Sequence, residues 1–174
     1  MKKKKIVAIS GSTRKNSSNE NLIRFISGLS SDIFEISLFD ITTLPYFNQD
    51  IDNSEVPQTV IGFRNAIENS DGVLICTPEY VFSIPGVLKN AIEWTVSTVV
   101  FSDKPTAIIT ASSSGTKAHE SLLLVMKTVG VKLPDASALL IQGIKSKMNV
   151  EGEITDATTI IQLKELIHSL NTSI

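Results

Sequence analysis

Residues 5–19 read Lys5-Ile6-Val7-Ala8-Ile9-Ser10-Gly11-Ser12-Thr13-Arg14-Lys15-Asn16-Ser17-Ser18-Asn19, an unbroken apolar run followed by ten residues that are polar or glycine. The apolar run suits a strand covered on both faces. Beyond the polar stretch, Leu22, Phe25, Ile26 and Leu29 recur at three- and four-residue spacing, the signature of a helix burying one face. A turn that runs into a helix N-terminus aims unpaired backbone N–H groups and the positive end of the helix dipole at one point. Ser12, Thr13, Ser17, Ser18 and Asn19 add hydroxyl and amide donors, and Arg14 adds a forked, charged pair. The stretch therefore predicts an anion site, with phosphate the best fit. The alternative is an ordinary polar loop in which one Ser or Asn caps the helix.

The same alternation continues through the chain. Apolar runs at 5–9, 34–39, 72–77, 106–111 and 137–142 predict five strands. Between and after them lie helical stripes: Val60, Phe63, Ile67; Leu88, Ala91, Ile92; Leu122, Val125, Met126, Val129; Ile160, Leu163, Ile167, Leu170. Strands alternating with helices indicate a parallel sheet. The most economical topology for five such units is a flavodoxin-like, doubly wound sheet of order 2-1-3-4-5, with helices on both faces. Residues 1–174 show no repeat or linker and are expected to form one domain. In such sheets a ligand sits outside the carboxyl ends of the strands, where the order reverses between strands 1 and 3. The loops at 10–19, 78–86 and 112–117 qualify by position.

Composition narrows the function. The formal charge of −2 in 174 residues gives no nucleic-acid footprint. Lys2 to Lys5 form a basic run too short for a polyelectrolyte arm, and it reads as a solvated lead-in to the first strand. Its apolar sequel, Ile6 to Ile9, is shorter than the ~7–15 residues of a signal-peptide core. No stretch reaches the ~18 apolar residues of a membrane span, so a cytoplasmic protein is expected. Cys76 is the only cysteine and sits in an apolar strand, so redox chemistry would have to come from a bound cofactor.

The first loop matches neither G-x-x-x-x-G-K-[ST] nor G-x-G-x-x-G, which leaves a monophosphate cradle. The second, Pro78-Glu79-Tyr80-Val81-Phe82-Ser83-Ile84-Pro85-Gly86, is apolar and aromatic for a connection. It suits equally a platform for a flat ligand or a core or subunit contact. The third, Ser112-Ser113-Ser114-Gly115-Thr116-Lys117, offers hydroxyls and N–H groups to a ligand's polar edge, or simply caps a helix. His119 and His168 fall in helices without paired ligands and read as surface side chains, and Trp94 as core or subunit interface.

Three stretches together resemble the NADPH-dependent FMN reductases, a family that includes quinone, azo-dye and chromate reductases. They are Gly11-Ser12-Thr13-Arg14-Lys15-Asn16-Ser17-Ser18-Asn19, Leu44-Pro45-Tyr46-Phe47-Asn48-Gln49-Asp50, and Pro78-Glu79-Tyr80 with Ser83-Ile84-Pro85-Gly86-Val87-Leu88-Lys89-Asn90-Ala91-Ile92-Glu93-Trp94. The resemblance implies FMN held through its phosphate by Ser12, Arg14, Ser17, Ser18 and Asn19. It places Pro78, Glu79, Tyr80, Val81 and Phe82 along the isoalloxazine ring, with Ser112, Ser113, Gly115 and Lys117 closing the other side. It also implies hydride transfer from NADPH or NADH with ping-pong kinetics, and a small acceptor: a quinone, an azo dye, free flavin or a metal oxyanion. A homodimer or homotetramer is implied through the helix beginning at Pro85, with Ile92 and Trp94 at the contact. The chain departs from the family pattern at Val81 and Phe82, where Asn and a small residue are usual. It departs again at Gly115-Thr116-Lys117-Ala118, where a glycine-richer loop with Arg is usual. A flavodoxin-type electron carrier, and a flavin-fold protein without catalysis, remain alternatives at this level.

Overall fold

The computed structural model describes residues 2–174. Strands β1 (Lys4–Ser10), β2 (Phe34–Phe39), β3 (Gly72–Thr77), β4 (Thr106–Ser112) and β5 (Ala138–Gln142) form one sheet of order β2-β1-β3-β4-β5. Every neighbouring pair is parallel. The helices are α1 (Ser18–Leu29), α2 (Gln49–Asp52), α3 (Gln58–Glu68), α4 (Gly86–Glu93), α5 (Thr116–Thr128) and α6 (Ala157–Ser173). The expected order and strands are found, with ends moved by a residue. β1 starts at Lys4, whose Nζ donates to the Asn171 carbonyl at 2.7 Å, so part of the basic run is strand.

The pleat sorts β1 between two cores. Val7 and Ile9 join Phe63, Leu88, Trp94 and Leu122 on the face covered by α3, α4 and α5. Ile6 and Ala8 join Leu22, Ile26, Leu163 and Leu170 under α1 and α6. β3, buried along its whole length, is the middle of the sheet. Edge strand β2 alternates instead and leaves Leu38 half exposed. Leu29, expected on the buried stripe of α1, is partly exposed, and Ile23 takes the buried position.

Trp94 and Ile92 lie in this core rather than at a subunit contact. The Trp94 indole Nε1–H donates to the Pro45 carbonyl at 2.7 Å, and its ring meets Phe47 edge-on at 5.2 Å between centroids. Asn90 closes the same clamp, donating to the Pro45 carbonyl and accepting from the Phe47 N–H. The stretch 44–50 is thereby pinned to α4. Among the described residues no helix is long and apolar enough to cross a membrane.

Candidate functional site

Loop 10–19 leaves β1 at the point where the sheet order reverses. Gly11 makes the exit possible: a Cβ there would fall 2.8 Å from the Thr77 Cβ, so the loop can rest against the end of β3 only without one. Ser17 is the N-cap of α1, its hydroxyl accepting the Glu20 N–H at 3.1 Å, while its carbonyl accepts the Asn21 N–H. Glu20 completes the turn by accepting the Asn16 N–H and pairing with Arg24. Of the first N–H groups of α1, those of Ser18 and Asn19 find no acceptor among the described residues. The Arg14 side chain likewise has no carboxylate partner among them. The Asn19 amide is spent within the fold, donating to the Ala111 carbonyl at 3.3 Å and accepting from the Cys76 thiol at 3.2 Å. Burial pushes the Cys76 thiol up, which keeps it protonated and able to donate.

Facing this loop, Pro78, Glu79 and Tyr80 continue from β3. Tyr80 and Ser83 exchange both backbone hydrogen bonds, at 3.0 and 3.1 Å, closing a two-residue hairpin. Its central residues, Val81 and Phe82, have φ of 53° and 56°. That is the backbone of a type I′ turn, which favours Asn-Gly; a β-branched and an aromatic residue there are strained by about 1–2 kcal/mol each. Both side chains project into solvent, Val81 96% and Phe82 78% exposed.

The third loop is tied to the second. Gly115, at φ +85°, precedes α5 without a capping side chain, and Glu79 replaces it. Its carboxylate oxygens accept the N–H groups of Gly115 at 3.3 Å and Ala118 at 3.0 Å. Lys117 turns outward to Glu120 at 2.8 Å, and that hydrogen bond and charge raise its pKa. His119 is half-buried, not on the surface as expected, with Nδ1 3.0 Å from the Thr110 hydroxyl; burial lowers its pKa. His168 is exposed.

Between these loops opens a cavity of about 440 Å³, within the range of small-molecule sites. Ser12, Arg14, Ser17, Ser18 and Asn19 line one end, and Pro78, Glu79, Tyr80, Ser112 and Ser113 line the rest. Val81, Phe82, Gly115 and Lys117 lie outside its lining: the first two on the strained hairpin tip, the last two drawn into the start of α5. Thr13 lines a second hollow, which shares Ser12 and Arg14 with the first and runs on to residues 38–42. Sequence reasoning missed the turn after β5, where Gly143, Ile144, Lys145 and Ser146 complete the wall. The Gly143 N–H donates to the Ser113 carbonyl at 3.1 Å, which brings this turn to the third loop. Only a Gly followed by basic residues marked it in sequence. No cluster suited to a metal ion occurs among the described residues.

Unclaimed N–H groups at a helix start, an unpaired guanidinium and hydroxyls at one end of a cavity fit a phosphate ester. The chain matches the family model for NADPH-dependent FMN reductase over residues 4–145. It is 35% identical to a 2-hydroxy-1,4-benzoquinone reductase of Burkholderia sp, across 89% of this chain and 87% of that protein. An NAD(P)H-dependent FMN reductase of Pseudomonas aeruginosa is 34% identical, across 87% and 85%. Among solved structures, the flavoenzyme NAD(P)H:(acceptor) oxidoreductase FerB from Paracoccus denitrificans superposes with a TM-score of 0.84 at 30% identity, covering 97% of this chain and 96% of that one. Fold, cavity chemistry and sequence agree: this chain belongs to the NADPH-dependent FMN reductase family, the FMN- and NAD(P)H-dependent oxidoreductases.

Proposed function

We propose that this FMN-dependent NAD(P)H oxidoreductase passes two electrons from NADPH or NADH to a quinone or a similar small acceptor. The reading rests on one observation: a single cavity joins the open donors of loop 10–19 to the Pro78-Glu79-Tyr80 surface at the reversal of the sheet. Bound FMN supplies the redox chemistry, taking up and giving back a hydride equivalent. The chain's own residues bind and orient. Arg14, the hydroxyls of Ser12, Ser17 and Ser18, and the N–H groups of Ser18 and Asn19 hold the phosphate. Pro78 and Tyr80 would hold the flavin's flat ring, and Ser112 and Ser113 would supply donors to its polar edge, favouring negative charge there. Glu79 acts at one remove, fixing the start of α5 through Gly115 and Ala118.

The quinone assignment is supported by the relatives, among them the benzoquinone reductase and a quinone reductase of Pseudomonas putida at 32% identity. Residues 1–174 act as one flavin-binding domain. A homodimer or homotetramer would use exposed apolar side chains such as Val96 and Val99 near the end of α4, since Ile92 and Trp94 are enclosed.

The test is direct. Purified protein titrated with FMN is expected to show a bound-flavin absorbance spectrum that bleaches on NADPH addition without oxygen. Steady-state rates with a quinone should give parallel double-reciprocal lines, the mark of ping-pong exchange. Absence of turnover without a separate reductase would make the protein an electron carrier, and failure to take up FMN would remove the flavin reading altogether.

A further inference from the structure

We propose that Lys145 is a second cation for a phosphate monoester in this cavity, whose lining it shares with Arg14. The inference rests on the flavin-site reading above and adds to it a residue that lies outside all three family-like stretches.

Lys145 sits in a 3-10 turn, Ile144–Lys147, that follows β5. Two features fix that turn. Ile144 is buried in the core under α1 and α6, and Gly143, at φ +64°, starts the turn with its N–H on the Ser113 carbonyl. The turn's two lysines then diverge. Lys147 is spent on structure, with Nζ 3.1 Å from the Asp156 carboxylate and 3.3 Å from the Thr159 hydroxyl at the start of α6. Lys145 has no hydrogen bond or carboxylate partner among the described residues, and it lines the same cavity as Arg14, Ser17 and Ser18. Lys15, the other cation of the first loop, lines only the second hollow, whereas Arg14 lines both.

Charge balance gives the unpaired lysine a purpose. A phosphate monoester carries about −1.5 to −2 near neutral pH. Arg14 and the half-charge at the N-terminus of α1 together supply roughly +1.5. That leaves up to about half a negative charge on the full dianion, enough to attract a further cation, and Lys145 is the remaining cation in the lining. A flexible ammonium suits this role, since it adds a point charge while Arg14 provides the oriented fork.

Both FMN and NADPH carry a phosphate monoester, so the experiment separates them. The apo protein and the variants Lys145→Gln and Lys145→Arg are titrated with FMN and with riboflavin, following flavin fluorescence. The reconstituted enzymes are then assayed for KM with NADPH and with NADH. Because Lys145 is exposed, the expected loss in Lys145→Gln is about three- to tenfold. If the flavin phosphate is the partner, FMN affinity falls by that factor, riboflavin affinity is unchanged, and Lys145→Arg restores most of the loss. If the nicotinamide nucleotide is the partner, KM for NADPH rises while NADH and both flavins are unaffected. Equal losses for FMN and riboflavin, or no change for any ligand, would overturn the role of Lys145. Failure of the flavin reading is seen separately, in wild-type protein that does not prefer FMN to riboflavin.

Discussion

The loops leading into α1 and α5, on either side of the cavity, are built from equally polar sequence and differ in what their polar groups do. At the α1 end, Arg14 and the N–H groups of Ser18 and Asn19 are left without partners inside the fold. At the α5 end, Glu79 is held by Gly115 and Ala118, Lys117 by Glu120, and His119 by Thr110. Binding capacity is what remains after the fold has satisfied itself, because a buried or pre-empted donor has nothing to offer a ligand. The first loop accordingly keeps open donors that a ligand can use, as the proposed phosphate role requires, and the third is chiefly a support.

Exchanging the tests between the two ends puts that contrast at risk. Arg14→Ala should weaken FMN by roughly 1.5–3 kcal/mol, the range for a hydrogen bond to a charged group, while leaving riboflavin affinity and the melting temperature nearly unchanged. Glu79→Ala should do the reverse. With the N–H groups of Gly115 and Ala118 uncapped, stability falls by about 1 kcal/mol, or roughly 2–4 °C in a chain of this size. FMN titrations and thermal melts on both variants decide the matter. A large drop in melting temperature for Arg14→Ala, or a phosphate-specific binding defect for Glu79→Ala, would erase the distinction.

The hairpin between the two ends carries strain that neither a core nor a cap requires. Val81→Asn with Phe82→Gly installs the pair that a type I′ turn favours, and is expected to stabilise the protein by about 1 kcal/mol. Because both side chains stand outside the cavity lining, FMN affinity should stay the same. A higher urea midpoint with unaltered FMN binding is the expected result. A midpoint that falls would mean that the two exposed side chains contribute contacts that outweigh the strain.

Much of this was legible in the chain itself, for a physical reason. Val73-Leu74-Ile75 and Ala107-Ile108-Ile109 are buried on both faces, so their hydrophobicity alone marks them as central strands. The helix start after loop 10–19 was legible too, because a contiguous run of Ser and Asn residues supplies its cap at Ser17. What could not be read depended on contacts distant in sequence. Glu79 caps a helix 36 residues further on. The burial of Trp94 depends on Pro45, which its indole N–H meets across 49 residues. The Gly143–Ser146 wall enters the cavity because β5 pairs with β4 and the Gly143 N–H reaches Ser113. Its sequence looks like any exposed turn. Asn19 shows the converse: it stands in the motif and lines the cavity, yet its amide holds β3 and β4 together.

The smallest expected effect tests how far the α5 end is structural. Burial lowers the pKa of His119, so its folded value lies below the ~6.5 of an unfolded chain. Between those two values the unfolded state binds a proton that the folded state refuses. Stability therefore falls as the pH drops below about 6.5, and the loss is complete only once the pH is below the folded value. In His119→Gln this contribution vanishes, so the change in urea midpoint between pH 7.5 and pH 5.5 should be smaller than in the wild type. His168 is exposed, and His168→Gln should keep the wild-type slope. The ring is only half-buried, so the difference should be modest. An unchanged slope in His119→Gln would place the ring in a more solvated setting than its contact with Thr110 implies, and would leave the third loop freer to turn its donors toward a ligand.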